Sequence, residues 1–279
     1  MKKTEYLHVD GVRSRVVSAG PIDNGEAVVF VHGNPGPLDD YDALFADLGE
    51  DVRRIAMDMP GYGDSDRPKD FDYTVEGSAA HLGGLLDQLD VDTAHLVLHD
   101  FGGLWGLRWA ADHRDRLGSV TLINTGIPVD YSWHKFARIW QTPILGEVFQ
   151  ATTIKPAFRF LLNRDNPQKF PAEFIDRIWS HYDWGHRRAV LALYRACKDI
   201  NSVAQPLADA FRGDAVPTLV ISGDEDAYIP ARFAEVQATI FPNAEVHHLP
   251  GLGHWPMIDD PAAVTSLTTP FLHDQLAHD

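Results

Sequence analysis

Asp100 is the residue of this chain best placed to do chemistry, within the stretch His95-Leu96-Val97-Leu98-His99-Asp100-Phe101-Gly102-Gly103. A carboxylate is ionised at pH 7 and needs no base to activate it. It can displace a leaving group from saturated carbon, which leaves an ester between its side chain and the substrate. Leu96 to Leu98 is an apolar run of the kind that forms a buried parallel strand. Leu104-Trp105-Gly106-Leu107-Arg108-Trp109 then begins a helix. A strand, a sharp turn and a helix can hold one reactive side chain exposed on a strained turn. Gly102 and Gly103 suit a backbone that passes close to the helix and takes angles other residues resist. The plainer alternative is an aspartate that serves only as the helix N-cap.

A second polar loop, His32-Gly33-Asn34-Pro35-Gly36, follows the apolar run Ala27 to Val31. Loops at the carboxyl ends of parallel strands are where open α/β sheets bind ligands. This one offers a backbone N–H and the Asn34 amide to stabilise negative charge, although the same residues also read as an ordinary Gly/Pro loop.

The remaining elements must position these loops. Asp10-Gly11 signals a hairpin near the start. Val52 to Met57 and Val120 to Asn124 read as strands, and residues 75–90 as an amphipathic helix through Leu82, Leu85, Leu86 and Leu89. Pro217 to Ser222 is a further strand, ending in Gly223-Asp224-Glu225-Asp226. A helix follows Pro230, a strand lies near Val246, and the loop Gly251-Leu252-Gly253-His254-Trp255 precedes a last helix from Pro261 toward Leu272. Strand and helix alternate, which implies right-handed crossovers and a doubly wound, mostly parallel sheet. From Ile127 to Gly213 no buried strand is legible. Aromatic patches at helical spacing take over: Trp133, Phe136 and Trp140, then Phe174, Ile178 and Tyr182, then Val190 and Tyr194. The expected organisation is a core of residues 1–126 and 214–279, with residues 127–213 as a helical cap that excludes water. Most of those aromatics are expected simply to pack.

Composition bounds the partners. A net charge of −16 argues against nucleic acid and anionic membrane surfaces. The single Cys197 excludes an internal disulfide and fits a reducing compartment. The N-terminal residues are polar and no 18-residue apolar run occurs, so a cytoplasmic location is expected. No cofactor or metal is expected, and the oligomeric state is not legible.

Together these residues resemble the α/β-hydrolase superfamily, over essentially the whole chain. Nucleophile Asp100, acid Asp226 and base His254 fall in that superfamily's chain order. The resemblance prefers Asp226 over Asp224 for its Gly223-x-x-Asp226 spacing, with Glu225 a weaker rival. The other position some relatives use for the acid holds Asn124, which cannot serve, and His99 merely flanks the nucleophile. An aspartate where esterases carry serine is similar to epoxide hydrolases and haloalkane dehalogenases.

His32-Gly33-Asn34-Pro35 looks like the dehalogenases, where the Asn side chain helps hold the halide. Their usual tryptophan after the nucleophile is replaced by Phe101, which has no side-chain donor. Fluoroacetate-type dehalogenases fit less well, because Phe101 also stands where their arginine is expected. Epoxide opening needs an acid for the departing oxygen, and Leu193-Tyr194-Arg195-Ala196 resembles the ring-opening tyrosine motif. Tyr131 and Tyr182, or His134 and His181, are candidates for a second donor, and a packed aromatic is the plainer reading of Tyr194.

The resemblance implies attack by Asp100 on a small apolar substrate. Backbone N–H groups of Asn34 and Phe101 would hold the oxyanion, and His254, supported by Asp226, would activate water. Epoxide hydrolysis is the first expectation and dehalogenation the second. A hydrolase-like receptor, or a lyase or oxygenase, is a further alternative.

Overall fold

The computed structural model describes residues 2–22 and 25–276. Its strands are β1 (Lys3–Val9), β2 (Val12–Ala19), β3 (Glu26–Val31), β4 (Arg54–Met57), β5 (Thr93–His99), β6 (Leu117–Ile123), β7 (Thr218–Gly223) and β8 (Ala244–Leu249). They form one sheet in the order β1-β2-β4-β3-β5-β6-β7-β8. β1 and β2 are antiparallel, joined by the expected hairpin in which Asp10 and Gly11 both take positive φ, 50° and 79°. β2 runs antiparallel to β4, and all later pairings are parallel.

The chain steps from β3 to β4 on one side and then crosses back to β5 on the other. The order therefore reverses between β3 and β5, and the crevice beyond their carboxyl ends is the natural ligand position of such a sheet. Asn34 and Asp100 lie just past those two ends. Both strands are apolar on both faces, since helices cover both. Val29 and Val31, with Leu96 and Leu98, pack into one core, whereas Val28, Phe30 and Val97 enter the other, as the two-residue period of a strand requires.

The helices that cover these faces are α1 (Asp42–Asp47), α2 (Val75–Gln88) and α3 (Phe101–Asp112). Thr74 caps α2 by accepting a hydrogen bond from the Gly77 amide at 3.0 Å. Between β6 and β7 come α4 (Lys135–Gln141), α5 (Leu145–Thr152), α6 (Lys155–Arg164), α7 (Ala172–Ser180), α8 (Trp184–Ala196) and α9 (Ile200–Phe211), with no strand among them. The chain closes with α10 (Arg232–Ile240), α11 (Pro256–Asp259) and α12 (Pro261–Leu276). No helix among the described residues is long and apolar enough to cross a membrane.

One expected boundary is corrected. α3 begins at Phe101 and not at Leu104. Gly102 and Gly103 lie inside its first turn, so the sharp bend falls on Asp100 alone.

Candidate active site

Asp100 sits at φ 49° and ψ −123°, a conformation that costs a non-glycine residue about 1–3 kcal/mol. The surroundings hold it there. Its carbonyl oxygen accepts hydrogen bonds from the Thr125 hydroxyl and, at 3.0 Å, from the Gly103 amide. The glycines serve close approach and not unusual angles, which corrects the expectation for them. A methyl group on Gly102 would overlap the Val31 carbonyl, and one on Gly33 would overlap Asp100 itself. Although Asp100 occupies the N-cap position of α3, its side chain makes no capping bond. Oδ1 instead accepts the Asn34 backbone N–H at 2.7 Å, and Oδ2 lies 3.4 Å from His254 Nε2. Phe101 is the first residue of α3, so its amide has no partner within the helix.

His254 follows β8 and meets two carboxylates. Its Nδ1 lies 2.7 Å from Asp226 Oδ2. Asp226 is fixed in turn, because Oδ1 accepts the Tyr228 and Ile229 amides at 2.7 and 2.9 Å. Asn124 supplies a further clasp that the sequence reading missed. Its Nδ2 donates to Asp226 Oδ2 at 2.7 Å and to the Gly253 carbonyl at 3.2 Å, while Oδ1 accepts the Gly223 amide at 2.9 Å. The asparagine that cannot be a base thus ties β6, β7 and the histidine loop together. His99 Nε2 donates to the His254 carbonyl at 2.8 Å and steadies that loop from below. Asp224 pairs with His248 at 2.7 Å, away from this cluster, and Glu225 is exposed.

The charges follow from this geometry. Burial opposes charge on His254, but the negative charge of Asp226 and the contact with Asp100 push its pKa up to about 10. Burial would raise the Asp100 pKa, yet its interactions with His254 and the Asn34 amide hold it below the usual carboxylate range. In the resting site, then, an imidazolium lies between two carboxylates. Two charges 3.4 Å apart interact by roughly 5 kcal/mol at an effective dielectric constant near 20. Asp100→Asn is therefore expected to lower the His254 titration midpoint by at least about two pH units, read from its ring resonances by NMR. An unmoved midpoint would show that Asp100 does not govern the protonation of His254.

Above Asp100 lies a cavity walled by Phe136, Trp140, Phe158, Tyr182, His186 and Val190 among others. A second space, lined by Leu104, Ile127, Trp133 and Phe233, meets the first at Asp100, His134, Tyr194 and Tyr228. Tyr194 is buried on α8, and its phenol oxygen accepts from Asn34 Nδ2 at 3.3 Å, which leaves the phenol proton for an oxygen in the cavity. Burial, with the charge of Asp100, pushes its pKa well above the usual tyrosine value, so the proton stays on.

Most of the other candidate donors are already engaged. Tyr131 donates to the Tyr228 carbonyl at 2.8 Å and Tyr182 to Gln150 Oε1 at 2.5 Å. His181 lies 3.5 Å from Asp64, outside both cavity walls. His134 is different. It caps α4 by accepting the Ala137 amide on Nδ1 at 3.3 Å, and burial lowers its pKa to about 4. A neutral ring with Nδ1 accepting must carry its hydrogen on Nε2, so His134 brings a fixed N–H to the wall shared by both cavities.

The profile of the alpha/beta hydrolase fold family matches residues 26–261. The chain is 27% identical over 272 residues to a cis-3-alkyl-4-alkyloxetan-2-one decarboxylase of Shewanella oneidensis, covering 92% of this chain and 84% of that protein. A haloalkane dehalogenase from Bradyrhizobium elkani superposes with a TM-score of 0.86 at 22% identity, covering 100% of both chains. An epoxide hydrolase solved without ligand superposes with a TM-score of 0.83 at 20% identity, over 98% of this chain and 99% of that one. These two structural likenesses speak for the fold.

Proposed function

This chain belongs to the alpha/beta hydrolase fold family, and we propose that it opens epoxides to diols through a covalent ester on Asp100. The observation that carries this reading is the chain of contacts Tyr194–Asn34–Asp100. The phenol lies 3.3 Å from the Asn34 side chain, whose own backbone N–H holds the Asp100 carboxylate at 2.7 Å. A nucleophile and a proton donor thus flank one space, as ring opening by backside attack requires. The helical block of residues 127–213 acts as the cap that closes it.

An Asp100 oxygen attacks one ring carbon and the C–O bond breaks. The ring oxygen takes the electron pair, then the Tyr194 proton, with the His134 Nε2–H as the second donor. Esterification removes the charge of Asp100, so His254 loses part of what held it protonated and sheds its proton. The proton it releases balances the one the opening consumed. Neutral His254 then takes a proton from water as the hydroxide adds to the ester carbonyl. The Asn34 and Phe101 backbone N–H groups hold the oxyanion. Collapse expels the diol alkoxide, which takes the proton from His254, and the carboxyl proton left on Asp100 then passes to His254, which restores the resting pair.

Dehalogenation is the second reading. It is favoured by Asn34 Nδ2 in the cavity and by Trp140, a wall residue whose buried Nε1 has no partner. Two cavities meeting at Asp100 also suit an electrophilic centre with two apolar arms, the shape of the dialkyl oxetan-2-ones named for the Shewanella relative. The deciding experiment is a screen of terminal and internal epoxides, bromoalkanes and dialkyl oxetan-2-ones, followed as diol, bromide and carbon dioxide. Diol formation is expected to dominate. Halide or carbon dioxide release without diol would reassign the leaving group, and turnover of none would favour a receptor.

A further inference from the structure

Among the polar side chains of the cavity wall that the reaction above does not use is His186. His186 stands on α8 two turns before Tyr194, 97% buried, with its ring in the cavity wall. Its Nδ1 lies 3.0 Å from the Gly61 carbonyl. A carbonyl can only accept, so the hydrogen is on Nδ1. Burial drives the pKa down to about 3, so the ring is neutral and Nε2 is a bare acceptor. That atom has no hydrogen-bond partner. Rings of Tyr62 and Tyr182 pack around it at 5.1 and 5.2 Å and hold the imidazole in place. Gly61 makes the arrangement possible. It takes φ 97°, and a methyl group there would come within 2.6 Å of Ala189 on the same helix.

A buried acceptor without a donor costs about 1–3 kcal/mol unless a ligand completes it. We propose that His186 Nε2 is a recognition point for a hydroxyl or N–H group on the substrate, set about two helical turns along α8 from Tyr194. His186, Val190 and Tyr194 recur every four residues, so all three line one face of α8 and all three border the cavity. Eight residues of helix span roughly 12 Å. The substrate class is therefore an apolar molecule carrying its electrophilic carbon beside Asp100 and a neutral hydrogen-bond donor that reaches the His186 end of the α8 face, about two helical turns from Tyr194. His134 and His186 divide the work, the first fixed as a donor beside the nucleophile and the second as an acceptor remote from it. The placement of the electrophile rests on the proposed role of Asp100, but the acceptor character of His186 does not.

Binding without turnover tests it. By calorimetry, 1-decanol is expected to bind the wild-type protein about tenfold more tightly than its methyl ether, which cannot donate. His186→Asn places an amide N–H where Nδ1 was, keeps the Gly61 contact and has no atom at the Nε2 position. In that variant the alcohol-to-ether ratio is expected to fall to about one. Because the variant could fold poorly, a second measurement uses only the wild type. The ¹⁵N resonance of His186 Nε2 should move on adding the alcohol and stay in place with the ether. Equal binding of the two ligands, a preference that survives in His186→Asn, or an unmoved resonance would overturn the proposal. If the alcohol engages His186 while no epoxide or haloalkane is turned over, recognition stands and the assigned reaction falls.

Discussion

Replacing His254 with alanine is expected to give a protein that reacts once and stops. The first step draws on the ionised Asp100 and the Tyr194 proton and needs no base, whereas release of the ester needs a base for water. Turnover should fall by about 10²–10⁴, while a covalent adduct with the mass of the substrate builds up on the protein. Intact-mass spectrometry after mixing with an excess of a reactive epoxide reads both quantities. The adduct should form in less than a single wild-type assay time and persist. Sustained multiple turnover would show that another group activates the water. Turnover lost without an adduct would mean that His254 is needed before the covalent step. The same variant removes an imidazolium from between two carboxylates, so Asp100 and Asp226 are left as like charges in a buried site. The attack should therefore be measured below neutral pH as well, where a raised carboxylate pKa would slow it.

Tyr194→Phe carries the second large effect. The ring stays in its aromatic cage, 5.2 Å from Phe101 and 4.8 Å from Trp140, so the fold should be little changed. The departing oxygen loses its acid, and epoxide opening is expected to slow by about 10²–10⁴. Displacement of bromide, which needs no proton, should change far less. The comparison of the two leaving groups on one variant is the informative quantity. Equal losses on both substrates would make Tyr194 a packing residue, and an unchanged epoxide rate would remove the ring-opening assignment.

Part of this site was legible because it follows from local pattern. The apolar run before Asp100, the glycines after it and the loop at Asn34 each declare a strand end, and the sheet's reversal between β3 and β5 brings those ends together. Gly223-x-x-Asp226 pointed to the carboxylate that meets His254, because that spacing turns the chain back so that Asp226 faces the histidine loop. The start of α3 differs from the sequence expectation for a physical reason. Glycines suggest a turn, but here an aspartate takes the strained angles and the glycines make room for Val31 and Thr125.

What the sequence could not show was how hydroxyls are spent. Tyr131, Tyr182 and Tyr194 look alike as aromatic positions in helical surroundings, and helical periodicity tells which face is buried without naming the neighbours. Only the tertiary contacts show that Tyr131 gives its proton to a carbonyl 97 residues away while Tyr194 keeps its own for the cavity. In the sequence alone Asn124 reads only as a residue that cannot serve as a base. Its real position, clasping Asp226 and the His254 loop, depends on strands that meet across the sheet.

The covalent role of Asp100 is the claim on which the rest stands, and one isotope experiment addresses it directly. In a single turnover in ¹⁸O-water with enzyme in excess, the oxygen joined to the substrate carbon should come from the Asp100 carboxylate. Water then replaces that atom as it attacks the ester carbonyl. Peptide mass spectrometry over residues 94–108 should find the label on Asp100, and the diol should be unlabelled. Label in the diol on the first turnover, with none on Asp100, would contradict the account and make the aspartate a general base for direct attack by water.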